Sequence, residues 1–182
     1  ATAPNAETIS SPSADMATPL LAIDATVHIY GEGGAKSCSI ANFFKGGGGV
    51  DLGKGEFVTG FTVPYPAAGM GSAFEKVGWT TFDIATVNVA VVVTLINGIV
   101  DHCSIALGAC SPAPVRAALA EGALSGREPS KEALEEAVEF IAGCVEPRKR
   151  WRRAPPEYRR RSSKALAMDA LTRAIEYARR FS

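Results

Sequence analysis

From Ile84 to Ile96 the chain is β-branched and almost wholly apolar; Asn97-Gly98 and a second apolar run, Ile99 to Leu107, follow at once. Asn-Gly tolerates the two positive φ angles of a tight turn, so the pattern predicts a two-residue hairpin between antiparallel strands. Upstream, looser alternation predicts a strand over Leu21–Tyr30, closed by Gly31-Glu32-Gly33-Gly34, and another over Glu56–Val63, stopped by Pro64-Tyr65-Pro66. Asp15 stands where it can cap the short apolar stretch after it, Ile40–Phe44 reads as a short amphipathic turn, and Gly46–Gly49 as a flexible connector. Downstream the apolar period lengthens. Pro112 or Pro114 suits the first turn of a helix over Arg116–Leu124, ended by Gly126. Ser130 caps a second helix, Lys131–Cys144, with Glu132 in its first turn and Leu134, Val138 and Ile141 on one face. After Pro147 a last helix runs from about Glu157 to Phe181, its stripe formed by Leu166, Ala170, Ala174 and Tyr177. The expected fold is α+β, an antiparallel sheet packed on one side against a helical layer. Pro64–Gly71 interrupts both periodicities and divides the chain into 1–66 and 67–182.

Composition narrows the class. The 182 residues are 47% hydrophobic and carry 19 basic against 19 acidic groups, which excludes a disordered chain. The longest apolar run, Val89–Val93, is far too short to cross a bilayer, and no basic-then-apolar leader is present; the expectation is a cytoplasmic protein. The neutral total conceals an asymmetry. Residues 1–126 are net −5 and residues 127–182 net +5, with the excess in Arg148–Arg153 and Arg159–Arg161 around Trp151 and Tyr158. Such a block suits a solvated face or the docking of an acidic partner surface better than it suits nucleic acid.

Candidate chemistry is sparse. Cys38, Cys103, Cys110 and Cys144 have neither zinc-finger nor ferredoxin spacing, and read as buried reduced thiols. His28 and His102 stand alone as strand histidines. No serine occupies a G-x-S-x-G elbow, and the glycine run lacks the Lys-Ser/Thr of a P-loop. The residues by themselves define no catalytic group and no metal site.

An ordered set of short motifs goes further. Thr2–Ala6, Ser11-Pro12-Ser13-Ala14-Asp15 and Leu20–Ala25 are followed by Phe43–Gly46, Gly55–Val58, Ser72–Lys76, Asp83–Ala85, Ile105–Ala109, Ser111–Arg116 and Glu157–Arg160. In this order they resemble the FAD-binding medium subunit of molybdenum hydroxylases, the carbon monoxide dehydrogenase and xanthine dehydrogenase family, over essentially the whole chain. The resemblance implies a share in an electron outlet: a molybdopterin-containing large subunit oxidises substrate, a [2Fe-2S] small subunit relays electrons, and FAD passes them to an external acceptor. The alternative of the same family is a flavin-free assembly module that docks those two subunits.

The resemblance assigns cofactor-binding roles to Thr2, Asn5, Asp15, Val58 and Lys76, and no catalytic or metal residue. Thr2 and Asn5 lie in the loop that approaches the FAD pyrophosphate, Asp15 faces the flavin's polar chain, Val58 packs on the ring, and Glu75 or Lys76 lies near its edge, Lys76 being the residue assigned. The loop departs from the family pattern: Pro4 and Asn5 replace two glycines, and Ala6 replaces an Asn. The family's upstream subdomain, with its second glycine-rich loop, has no counterpart in this sequence. Both departures imply that this chain alone binds FAD weakly or not at all.

Overall fold

A computed structural model describes residues 11, 13–80, 82–146 and 154–181. The first segment opens with helix α1 (Ala17–Ala22), then strands β1 (Thr26–Gly31) and β2 (Gly34–Ser39). A one-turn helix α2 (Ile40–Phe43) leads into the hairpin β3 (Phe44–Gly46) and β4 (Gly49–Val50), and strand β5 (Phe57–Thr62) closes the segment. β5 pairs antiparallel with β1, giving a three-stranded sheet in the order β2-β1-β5. The second segment holds β6 (Met70–Val77), β7 (Val87–Ile96), β8 (Ile99–Gly108) and the short β9 (Val115–Arg116), paired in that order and all antiparallel. Helices α3 (Ala118–Leu124), α4 (Lys131–Ile141) and α5 (Pro156–Arg180) complete the chain.

The hairpin forms as its dipeptide requires. Ile96 faces Ile99, and Asn97 and Gly98 have φ of 53° and 80°, the left-handed pair of a type I′ turn. Ser130 caps α4 by accepting a hydrogen bond from the Ala133 amide at 3.2 Å. The last turn of that helix tightens into a 3-10 turn over Ala142–Cys144.

Strand β7 is covered on both faces. Val87, Val89, Val91, Val93 and Leu95 join one core with Ile105, Leu107 and the three helices. Ala90 and Val92, with Ala106 from β8, join a second core with Leu20, Leu21, Val27, Ile29, Ile40, Phe43 and Val58. The sheet is therefore a middle layer: helices cover one side, as expected, and the first segment covers the other. A charged clip reinforces that junction. The Arg116 guanidinium donates to Glu121 from Nε at 2.6 Å and from Nη2 at 3.1 Å, and to Asp24 at 2.9 Å. Glu121 also accepts from the Ile105 amide at 2.8 Å.

Several sequence expectations are corrected. Leu21 and Ala22 end a helix instead of opening a strand, because Asp24 at φ 51° turns the chain and strand begins only at Thr26. Asp15 does not cap that helix, whose first turn has no side-chain cap. The Gly46–Gly49 connector is a tight hairpin, with Gly46, Gly47 and Gly48 all at positive φ and the Gly47 amide bonded to the Pro112 carbonyl at 2.9 Å. Arg116 belongs to strand β9, so neither Pro112 nor Pro114 opens α3. Pro147 and the arginines of 148–153 lie outside the described residues.

The buried face of α5 is also rotated from its expected position. It consists of Arg159, Ser163, Ala167, Ala170, Leu171, Ala174, Ile175 and Ala178, while Tyr177 is 40% exposed. Small side chains there let the helix backbone lie directly on the edge strand β6. A Cβ on Gly71 would overlap the Ala174 carbonyl oxygen and the Ala178 nitrogen, which are backbone atoms that no rotamer change can move. Two outcomes follow. Gly71→Ala is expected to lower unfolding free energy by about 3 kcal/mol or more in urea titration, whereas Gly60→Ala, with nothing within 4 Å of the new Cβ, stays within about 0.5 kcal/mol of the parent.

Burial pushes the Cys103 thiol up to about 12 and the Cys110 thiol up to about 11, from an ordinary 9.0. Both raised values favour the protonated folded form. The stability they contribute is full below about pH 9 and is lost as pH rises toward 11 and 12. With disulfide reagent at pH 8, Cys38 and Cys144, both partly exposed, are expected to react in the folded protein, and Cys103 and Cys110 only after denaturation. Equal reaction of all four thiols without denaturant would contradict the burial.

Candidate functional site

The central sheet ends, on the side of the first segment, in a polar row. Antiparallel register sets Lys76 of β6 opposite Asn88 of β7, and Asn88 opposite Gly108 of β8. Asn88 is fully buried, so its amide must find partners. Its Oδ1 accepts from the Thr18 hydroxyl of α1 at 2.7 Å, and its Nδ2 donates to Asp15 Oδ1 at 3.4 Å. Gly108 makes room for this arrangement: a Cβ there would overlap Asn88 Oδ1 and Thr18 Oγ1.

Asp15 and Lys76 meet at the mouth of the row. Lys76 Nζ donates to Asp15 Oδ2 at 2.6 Å and to the Asp83 carbonyl at 3.3 Å. The Asp15 side chain is 43% exposed and that of Lys76 is 23% exposed, so the pair faces solvent at the junction of the two segments. At that exposure its net contribution to stability is about 1 kcal/mol. It presents an ammonium donor and carboxylate acceptors side by side, a set that can receive a carbonyl on one atom and an N–H or hydroxyl on the next. That is the chemistry of a flavin's polar edge and side chain, and the two residues fit it.

Thr2 and Asn5 are outside the described residues. Val58 is 3% exposed and packs into the first segment's core beside Ile29, its register partner on the neighbouring strand β1. It therefore presents no surface to a ligand here. His28 bonds Thr62 Oγ1 at 2.7 Å, a structural role for a strand histidine. Among the described residues no three His, Cys, Asp or Glu side chains gather to hold a metal ion, and no helix is long and apolar enough to cross a membrane.

Three participants were missed in the sequence. Asn88 is the one amide inside the run Val87–Val93, and that polar interruption was its signal. Thr18 had none, since only the fold brings it to Asn88. Arg159 was counted with the surface basic block, yet it is 1% exposed. Its guanidinium donates to the Thr86 carbonyl and, at 2.5 Å, to the Ala109 carbonyl. Burial lowers it to about 10, so it remains charged at neutral pH. Lys164, three residues beyond that block, pairs with Glu139 at 2.5 Å. Beside Arg159 a groove of about 340 Å³ is lined by Gly78, Trp79, Thr86, Ala154, Pro155 and Tyr158.

Residues 72–174 match the CO dehydrogenase flavoprotein C-terminal domain, and residues 8–66 match the FAD binding domain in molybdopterin dehydrogenase. The chain belongs to this flavoprotein family. It is 31% identical over 168 residues to the xanthine dehydrogenase FAD-binding subunit of Escherichia coli O157:H7, covering 91% of this chain and 57% of that protein. The carbon monoxide dehydrogenase medium chain of Afipia carboxidovorans is 29% identical, over 90% of this chain and 56% of the relative. Among solved structures, carbon monoxide dehydrogenase from Hydrogenophaga pseudoflava superposes with a TM-score of 0.89 at 30% identity, covering 93% of this chain and 59% of that one. The chain thus spans somewhat over half the length of these relatives.

Proposed function

We propose that this chain forms part of the flavin subunit of a molybdenum hydroxylase, in which FAD passes electrons from iron–sulfur clusters to an external acceptor. One observation carries the reading: Asp15 and Lys76, which the resemblance assigns from two motifs 61 residues apart, bond one another at the junction of the two family-matched segments. We place the domain division at 66/67 and the complex in the cytoplasm. Its partners are a molybdopterin-containing large subunit and a [2Fe-2S] small subunit, consistent with relatives named as medium chains.

FAD, when bound, supplies the redox couple; the protein's part is orientation and tuning. Lys76 donates a hydrogen bond and sets a positive charge at the flavin edge. Asp15 accepts from the cofactor's polar groups, and Asn88 and Thr18 fix the carboxylate's direction from below. The flavin-free assembly reading draws on the loop after β6, where Trp79 is 71%, Phe82 98% and Ile84 61% exposed, an apolar surface suited to a protein partner. Burial of Arg159 removes one charge from the basic block and weakens a nucleic-acid reading further.

Titration of FAD against the chain, followed by flavin fluorescence quenching, tests the reading. Expected is weak saturable binding, with Kd on the order of 0.1–1 mM, lost in Lys76→Met and Asp15→Asn but retained in Lys45→Met. Low-micromolar or tighter binding would overturn the weak-binding expectation. Absence of saturable binding, or binding indifferent to Lys76 and Asp15, would favour the assembly module.

A further inference from the structure

We infer that Arg159 is a positioning residue for Lys76, acting through the loop 78–86; this rests on the reading that Lys76 faces the flavin. The two carbonyls that Arg159 holds belong to residues flanking paired strands. Thr86 precedes β7, and Ala109 follows β8, one residue beyond the Asn88–Gly108 pair. A single buried cation therefore gathers the polar end of the sheet from the side opposite Asp15.

Thr86 closes the loop that follows β6. Its amide donates to the Val77 carbonyl at 2.8 Å, and Arg159 takes its carbonyl, so both main-chain groups of this residue are fixed. Within that loop the Asp83 carbonyl accepts from Lys76 Nζ. The path from Arg159 to Lys76 is thus one hydrogen bond at Thr86, the main chain from Thr86 back to Asp83, and one hydrogen bond at Asp83. Loops with exposed side chains sit at the low end of local stability, and this one exposes Trp79 and Phe82. A fixed anchor at its end is what gives Asp83 a defined place.

Ala109 supplies the second half of the argument. At φ 63° it is held in the left-handed region without being glycine, an unfavourable conformation that needs a compensating interaction. The hydrogen bond from Arg159 to its carbonyl is such an interaction. It holds the chain just past Gly108, whose missing Cβ leaves room for Asn88 and Thr18. Arg159 thereby acts on both sides of the row that aims Asp15 and Lys76. Both bonds leave one nitrogen, Nη1; a lysine at 159 keeps the charge, but its side chain is one bond shorter and its ammonium stops short of the two carbonyls.

The test uses the whole chain with Arg159→Lys, Arg159→Met and, as control, the exposed neighbour Arg160→Met. Pulsed acetylation with mass spectrometry reads Lys76 against Lys45 and Lys54, and amide exchange reads 78–86 against the centre of β7 and β8. In Arg159→Lys we expect acetylation of Lys76 to rise roughly threefold or more and loop exchange about tenfold, with the reference lysines and strands unchanged. Unchanged Lys76 and loop would overturn the inference, and so would a uniform rise at all positions, which marks a purely structural arginine. If Arg159→Met does not fold, Arg159→Lys decides. None of these readouts involves FAD, so failure of the flavin reading leaves the anchor standing, and failure of the anchor leaves the flavin titration unaffected.

Discussion

A strand buried on both faces from Val87 to Val93 constrains everything around it. β7 must pair both of its edges, which β6 and β8 do along nearly its whole length, and each face must be covered. The helix-facing row of valines is uniformly β-branched, and each valine, fully buried, contributes about 1.5–3 kcal/mol. The opposite row is smaller, Ala90 and Val92 flanked by Ala106, and onto it the first segment sets Leu20 and Leu21 of α1. The two family-matched segments consequently share the face of one sheet instead of meeting at a linker. Their relative placement is as firm as the core itself, which is the condition for a site built from one residue of each.

The polar row follows from the same constraint. At the β7 end nearest the loops, burial continues through Asn88, but aliphatic side chains give way to Lys76, Asn88 and Thr18 with Gly108 beneath them. A buried amide without partners costs about 1–3 kcal/mol. Here both of its ends are taken, one by the Thr18 hydroxyl and one by a carboxylate. The apolar length of β7 thus determines where the segments sit, and its one amide determines how Asp15 points.

The hairpin was legible because Asn97-Gly98 carries its own geometry, and the α4 cap because Ser130 stands directly before a periodic run. The strands β2 and β6 were not. Gly34–Ser39 lies at a sheet edge and is mostly exposed, so it has little alternation to read. Met70–Val77 alternates, but its inward face holds Gly71 and Ala73, small because α5 approaches so closely. The same closeness misled the reading of α5, where Leu166 and Tyr177 outweighed Ser and Ala in a hydrophobic pattern although the contact selects for size. Of the site, Asp15 and Lys76 came from motif resemblance; no spacing rule joins residues 61 positions apart.

Arg159 is the sharpest case. Surrounded in sequence by basic residues, it belongs by period to the stripe that continues through Ser163, Ala167 and Ala170. An arginine on the stripe of Ser163, Ala167 and Ala170 has a long apolar stem to lay along the sheet and a charged donor to place at the far end. There the main-chain carbonyls of Thr86 and Ala109 end the strand pair, where the ladder no longer uses them. Burying a guanidinium is costly unless its donors are met, and two carbonyls that would otherwise lie buried at the sheet's end are costly unless they are bonded. Each cost offsets the other only in this geometry. The basic run of this chain therefore divides in the fold: Arg160 and Arg161 point to solvent, and the arginine beside them is the internal brace of the sheet that carries the site.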